Sequence, residues 1–146
     1  MKLTQLEINK MIKIARETAK NAFVPFNKHP FGSSILTSKG NIYGGCNIEN
    51  SISGLGICSE MTAINHAISH GEYVFKALCL YDKKKQYSYP CGACRQYISQ
   101  FIQISGKNIL IITSSPLGYK LIDFEKLYPF AHFNRTDIAS VKNYAK

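Results

Sequence analysis

Three thiols and one carboxylate stand at spacings that could serve a single metal ion. Cys58 and Glu60 lie in Cys58-Ser59-Glu60, and Cys91 and Cys94 lie in Pro90-Cys91-Gly92-Ala93-Cys94. Zinc takes nitrogen and sulfur ligands in a tetrahedron, with four protein ligands in closed structural sites and three plus water in catalytic ones. Cys91 and Cys94, three apart in a first helical turn, can face one point, so Cys58 must arrive from a second element. A carboxylate beside such a centre can take a proton from water and deliver it elsewhere, which is general acid-base catalysis. Taken alone, these residues leave other chemistry open. The Cys91/Cys94 spacing also suits a redox dithiol, and a structural zinc site would recruit a fourth ligand from Cys46, Cys79, His66 or His70. Cys79 sits in an apolar run and reads as a core thiol. His66 and His70 share a helix face and read as surface or core-edge polar residues.

The elements that must position these groups follow from pattern. Thr4 and Glu7 have the form of a capping box, and Leu6, Met11, Ile14, Ala15, Ala19 and Ala22 recur at near-helical spacing, which predicts a helix from about Gln5 to Ala22. After Pro25 and Pro30, the runs Phe31 to Thr37 and Ile42 to Cys46 flank Ser38-Lys39-Gly40-Asn41 as a β-hairpin. Met61, Ile64, Ala67 and Ile68 predict a second helix that opens at Cys58 and stops near His70-Gly71. Tyr73 to Tyr81 fits a buried strand, and a third helix follows from Pro90 through Arg95, Tyr97, Ile98 and Ile102. Asn108 to Thr113 and Tyr119 to Phe124 read as two more strands around a turn at Ser115-Pro116-Leu117-Gly118. This alternation predicts a three-layer α/β/α sandwich with a mixed five-stranded sheet, an antiparallel hairpin first and crossover-connected strands after it. Beyond Glu125, the residues Leu127, Phe130 and Phe133 suggest a short helix and an apolar tail that closes the core or meets another subunit.

Both thiol-bearing segments open helices, where unpaired N–H groups and the helix dipole favour anions and lower thiol pKa values. Residues two apart on a regular helix point to nearly opposite sides, so Cys58 must sit at or before the first full turn if Glu60 is to share its site.

The 146 residues are expected to form one domain, 1–146, since 45% are apolar and only 18% charged. The first residues lack the apolar core of a signal peptide, and no apolar run has the length of a membrane span. Five cysteines cannot all pair within one chain, which with the missing export signal points to cytoplasmic thiols, some of them metal-bound. The net charge of +9 invites a nucleic-acid partner, and a zinc-stabilised nucleic-acid-binding module is the reading it would support. The 18 Lys and Arg are nevertheless spread along the chain, with one short cluster at Lys83-Lys84-Lys85 beside Asp82 in an expected loop. They read as a solvated basic surface, without a nucleic-acid or membrane partner.

The order Cys-x-Glu and then Pro-Cys-x-x-Cys resembles the zinc-dependent cytidine deaminases, a signature already described for zinc deaminases as a group. Gly45-Cys46-Asn47-Ile48-Glu49-Asn50, Cys58-Ser59-Glu60-Met61-Thr62-Ala63 and Pro90-Cys91-Gly92-Ala93-Cys94-Arg95-Gln96 all resemble blocks of that family. The resemblance implies one zinc per subunit on Cys58, Cys91 and Cys94, and hydrolytic deamination at C4 of cytosine. Glu60 would carry protons to N3 and to the leaving amine, and uridine would be the product of this pyrimidine-salvage reaction. It implies that Asn47 and Glu49 contact the ribose hydroxyls of a free nucleoside, and that Ser59 joins the substrate-contacting set. It further implies a homotetramer whose sites are completed by neighbouring chains. Two positions depart from the family pattern. In Asn27-Lys28-His29-Pro30, His29 replaces the usual aromatic residue of the substrate face, a local likeness to blasticidin S deaminase that makes His29 a candidate substrate contact and suggests a modified cytosine nucleoside as the alternative substrate. Met61 stands where three-cysteine members usually carry Arg just after the glutamate, while Arg95 remains. Three thiolates on Zn²⁺ leave the ligand shell at net −1, so the helix starts must offset more of that charge.

Overall fold

The computed structural model describes residues 2–132 and 138–144. Helix α1, Gln5–Ala19, starts at the expected capping box: Thr4 accepts from the Glu7 backbone N–H, and Glu7 reaches back to the Thr4 N–H. It ends three residues earlier than its apolar spacing suggests. Residues 20–22 continue in tighter turns, because Phe23 leaves the helix to exchange backbone hydrogen bonds with Asn47 and Glu49. Strands β1, Phe31–Thr37, and β2, Ile42–Cys46, form the hairpin. Helix α2 is Ser59–Ser69, β3 is Phe75–Asp82, α3 is Gly92–Ser105, β4 is Leu110–Ser115 and β5 is Gly118–Asp123. Two short helices follow, α4 at Phe124–Leu127 and α5 at Ile138–Tyr144.

The strands form one mixed sheet in the order β2-β1-β3-β4-β5. Only β3 and β4 are parallel, joined through α3. The expected run of crossover connections stops there, since β5 returns antiparallel to β4 through the tight turn at Pro116-Leu117. Side-chain alternation then sorts the core into two layers. Ile35, Leu78 and Ile111 lie in register across β1, β3 and β4 and pack against Ala63, Ile64 and Ala67 of α2 and Ile98 and Phe101 of α3. Their neighbours Leu36, Ala77, Cys79 and Ile112 face the other way, against Ile8, Met11 and Ala15 of α1. The result is the three-layer α/β/α arrangement.

Two glycines set the closeness of these layers. A Cβ on Gly32 would lie 1.9 Å from the Ala15 carbonyl oxygen, and one on Gly45 would lie 2.3 Å from the Ala63 backbone nitrogen. Only a residue without a side chain allows α1 and α2 to approach the hairpin this nearly, and the seating of α2 fixes where Cys58 and Glu60 emerge. Helix α5 is an element that the expected apolar tail did not resolve; it packs on α3, and the Tyr144 ring meets Tyr73. Phe130 is almost wholly exposed, and Phe133 lies outside the described residues.

Candidate metal centre and the cavity above it

Cys58 is the N-cap of α2, in extended conformation at φ −71° and ψ 151°. This resolves the spacing problem of Cys-x-Glu: Cys58 precedes the helical turn, so its side chain and that of Glu60 need not diverge as they would on a regular helix. Cys91 is the N-cap of α3, and its sulfur accepts from the backbone N–H of Cys94 at 3.5 Å. An N-cap side chain folds over the third helical residue, so the x-x spacing at this helix start brings Cys91 and Cys94 together by ordinary capping geometry. The three ligand atoms of Cys58, Cys91 and Cys94 all lie within 4.8 Å of one another, and they are the metal-binding cluster among the described residues.

These thiols fit zinc. Bonds of about 2.3 Å in a tetrahedron place two sulfurs about 3.8 Å apart, and the Cys58 and Cys91 sulfurs are 3.9 Å apart. The chemistry of the set agrees. A hydrogen bond from the Cys94 thiol, helped by Cys91, lowers Cys58 to about 7 against burial and the nearby Glu60 charge. Cys94 is pushed up by donating that hydrogen bond and by its burial. The cluster thus favours the charged form at Cys58, through its neighbouring thiols and the start of α2. Arg95 donates to the carbonyls of Pro90 at 2.8 Å and Leu127 at 3.0 Å, so it braces the segment entering Cys91. The other four candidate ligands are elsewhere. Cys79 is fully buried beside Ser114 and pushed up to about 12 by burial. The sulfur of Cys46 faces the Asn21 carbonyl, and His66 and His70 engage the carbonyls of Gly44 and His66 around the Tyr43 ring.

Glu60 is 4% exposed, and burial raises its pKa against hydrogen bonds from its own N–H, Ser59 and Cys94. A cavity of about 880 Å³ opens over Glu60, Cys58 and Cys91, walled by residues 26–27, 47–54, 56–57 and 87–89. Asn47 and Glu49 both border it. The Asn47 side chain accepts from Phe31 N–H and donates to the His29 carbonyl, while the Glu49 carboxylate accepts from the N–H groups of Phe26 and Asn27. Each is thus held rigidly by backbone and retains hydrogen-bonding capacity, one N–H on Asn47 and further lone pairs on Glu49.

Ser59 and His29 are bonded to other residues of the protein. Ser59 borders the cavity, but its hydroxyl is fully buried and bonded to Ser33 and Glu60. His29 does not line the cavity: its ring stacks on Phe31 and its Nε2 lies 2.8 Å from Asp82 Oδ1. Asp82 closes β3 instead of belonging to the basic loop, because its side chain is an acceptor for four donors. It takes His29, the Lys84 N–H, Gln86 and Ser88. Burial works to raise Asp82, but hydrogen bonds from Ser88, His29, Gln86 and Lys84 outweigh it and hold the carboxyl below its usual range. Asp82 thereby ties together the 25–30 and 83–89 loops, both of which supply residues to the lining of the cavity. The residues missed by sequence reasoning are Asp82 and Ser33, and both carried a signal: a carboxylate followed by polar partners, and a polar residue within an apolar strand.

A three-cysteine centre on paired helix starts, with a buried carboxylate beside it in a substrate-sized cavity, defines a metal-dependent hydrolase site on an α/β/α sandwich. The family model described as cytidine and deoxycytidylate deaminase zinc-binding region matches residues 6–110. The chain belongs to that family, and Cys58, Cys91 and Cys94 are the thiols of the matched region that fit its zinc. It is 35% identical over 134 residues to a cytidine deaminase of Sporosarcina psychrophila, covering 92% of this chain and 96% of that one. The crystal structure of cytidine deaminase from Burkholderia pseudomallei superposes with a TM-score of 0.77 at 26% identity, covering 89% of this chain and all of that one. A blasticidin-S deaminase of Bacillus cereus is 31% identical over 96 residues, 56% of this chain and 69% of that one.

Proposed function

We propose that this single domain hydrolyses cytidine and deoxycytidine to uridine and deoxyuridine with release of ammonia, as a step of pyrimidine salvage. The observation that carries the reading is the grouping of Cys58, Cys91, Cys94 and Glu60 beneath a cavity bordered by Asn47 and Glu49. One zinc per subunit, when bound by the three thiols, supplies Lewis acidity that makes water a nucleophile at neutral pH. Glu60 would accept a proton from the attacking water and return protons to N3 of the base and to the departing amine. Its burial favours the protonated form and so suits it to donate as well as accept. Asn47 and Glu49 orient the ribose hydroxyls, and His29 acts on the substrate indirectly, through Asp82 and the two loops it joins.

Charge supports a nucleoside over a nucleotide. Despite a net charge of +9, no lysine or arginine among the described residues lines the cavity, whose ionisable carboxylates are Glu49 and Glu60. A 5′-phosphate would enter without a cation to pair it, and the Glu49 carboxylate would repel it. The homotetramer implied by the family resemblance is supported by the apolar rim of the cavity. Phe26, Ile48, Ile52 and Ile57 are all exposed there, and backbone bridges join Ile48 to the exposed Phe23 and to Ile57. Five free thiols suit the reducing cytoplasm.

A second reading, deamination of a bulkier cytosine nucleoside such as blasticidin S, is favoured by the cavity volume, which is near the upper end for small-molecule sites. A panel of cytidine, deoxycytidine, deoxycytidine monophosphate and blasticidin S, followed by ammonia release from zinc-loaded protein, separates the readings. The nucleosides should give the highest kcat/KM. Higher kcat/KM for the monophosphate or for blasticidin S would overturn that choice.

A further inference from the structure

Two serines beneath Glu60 have no part in the metal centre or in the substrate contacts above. Ser33, on β1, and Ser59, the first residue of α2, are both fully buried, and their hydroxyl oxygens lie 2.7 Å apart. Ser59 Oγ in turn lies 3.1 Å from Glu60 Oε2. The N-cap of α2 is Cys58, so neither hydroxyl caps this helix. A buried hydroxyl is unfavourable unless hydrogen-bonded, and a pair of hydroxyls leaves one O–H in need of a third atom as acceptor. Here the third atom is a carboxylate oxygen.

We propose that Ser33 and Ser59 are positioning residues that form a directed hydroxyl chain to Glu60 and select which of its carboxylate oxygens moves protons. The proposal rests on the proton-shuttle reading of Glu60. An ionised carboxylate can only accept, so Ser59 donates to Oε2 and accepts from Ser33. That direction holds Oε2 as an acceptor whether or not the carboxyl is protonated, and leaves Oε1 as the oxygen that gains and loses the proton. Without the chain, Oε2 loses its hydroxyl donor and the carboxyl group, held only by its remaining contacts with its own N–H and Cys94, is less firmly fixed in the orientation that presents Oε1 to the substrate. The consequence falls on turnover and not on substrate affinity, because neither serine hydroxyl is available to the cavity.

The test compares zinc-loaded Ser59→Ala, Ser59→Thr, Ser33→Ala and Glu60→Gln with the parent protein on cytidine, measuring kcat, KM, zinc per chain and thermal midpoint. Ser59→Ala should lower kcat about 10- to 100-fold, the loss expected for a hydrogen bond to a charged group, with KM within about twofold and zinc unchanged. Ser33→Ala should lower kcat about 3- to 10-fold with the same pattern, and Ser59→Thr, which keeps the hydroxyl, should recover most of the activity. A Ser59→Ala kcat within about twofold of the parent overturns the proposal, as does a loss of activity that follows lost zinc or a lowered thermal midpoint. If Ser59→Ala fails to fold, Ser33→Ala decides alone: an unchanged kcat overturns the chain, and a lower kcat at constant KM and zinc upholds it. Glu60→Gln keeps the two claims apart. Turnover retained in that variant removes the shuttle itself, whereas an inactive Glu60→Gln beside an unaffected Ser59→Ala removes only the hydroxyl chain.

Discussion

Replacing Asp82 with asparagine should loosen both loops that wall the cavity. The side chain is fully buried, and its two oxygens accept from His29 Nε2 at 2.8 Å, Lys84 N–H at 2.8 Å, Gln86 Nε2 at 2.9 Å and the Ser88 hydroxyl. Asparagine keeps one acceptor oxygen and puts an NH₂ where the other was, so two of the four donors face a donor. Each hydrogen bond to a charged acceptor contributes about 1.5–3 kcal/mol, and Gln86, being exposed, can turn to water. The net loss should be about 2–4 kcal/mol in urea unfolding, with KM for cytidine raised more than kcat is lowered. The pH dependence has a definite sign. Because folding holds Asp82 below its usual range, its stabilisation is present above about pH 4 and is lost as pH falls through the lower folded value. The stability difference between parent and Asp82→Asn should therefore shrink on acidification. A variant within about 0.5 kcal/mol of the parent with unchanged KM would refute the reasoning, as would a difference that persists undiminished into strong acid.

Cys91→Ser should bring zinc from one per chain toward none and abolish ammonia release, as measured by metal analysis on the same sample that is assayed. Cys94 is pushed up and Cys58 is lowered to about 7, so zinc binding releases protons, and affinity in chelator competition should weaken as pH falls and more steeply below about pH 7. Glu49→Ala removes the acceptor for the N–H groups of Phe26 and Asn27 as well as the proposed ribose contact. It should lower kcat/KM for cytidine about 10- to 100-fold, mainly through KM, with a smaller loss for a dideoxy analogue that lacks the ribose hydroxyls.

The parts of the fold visible in the sequence were those fixed by local rules. The capping box at Thr4, the hairpin at Gly40 and the two cysteine-led helices all stand where residue type and spacing placed them. The thiol cluster was legible for the same reason: Cys91 and Cys94 meet within one helical turn, and a carboxylate two residues from Cys58 required Cys58 at or before the first turn, where it forms the N-cap. Non-local choices were not written in any one segment. Helix α1 ends at Ala19 because Phe23 pairs with residues 47–49, and Asp82 becomes the end of a strand because His29, 53 positions away, bonds to it. Likewise, the hydroxyl of Ser59 on α2 bonds to Ser33 on β1, a pairing that no local pattern announces. In each case a partner distant in sequence decided the side chain's role.

The central claim is that Glu60 moves protons at a zinc centre built from Cys58, Cys91 and Cys94. It is tested most directly by the turnover of cytidine by zinc-loaded parent protein and Glu60→Gln, with zinc counted in both. The parent should release one ammonia for each uridine formed, and Glu60→Gln should hold one zinc per chain while kcat falls about 10²- to 10⁴-fold, the range for general acid-base catalysis. A parent protein that releases no ammonia, or a zinc-bound Glu60→Gln that turns over within about twofold of it, would contradict the account.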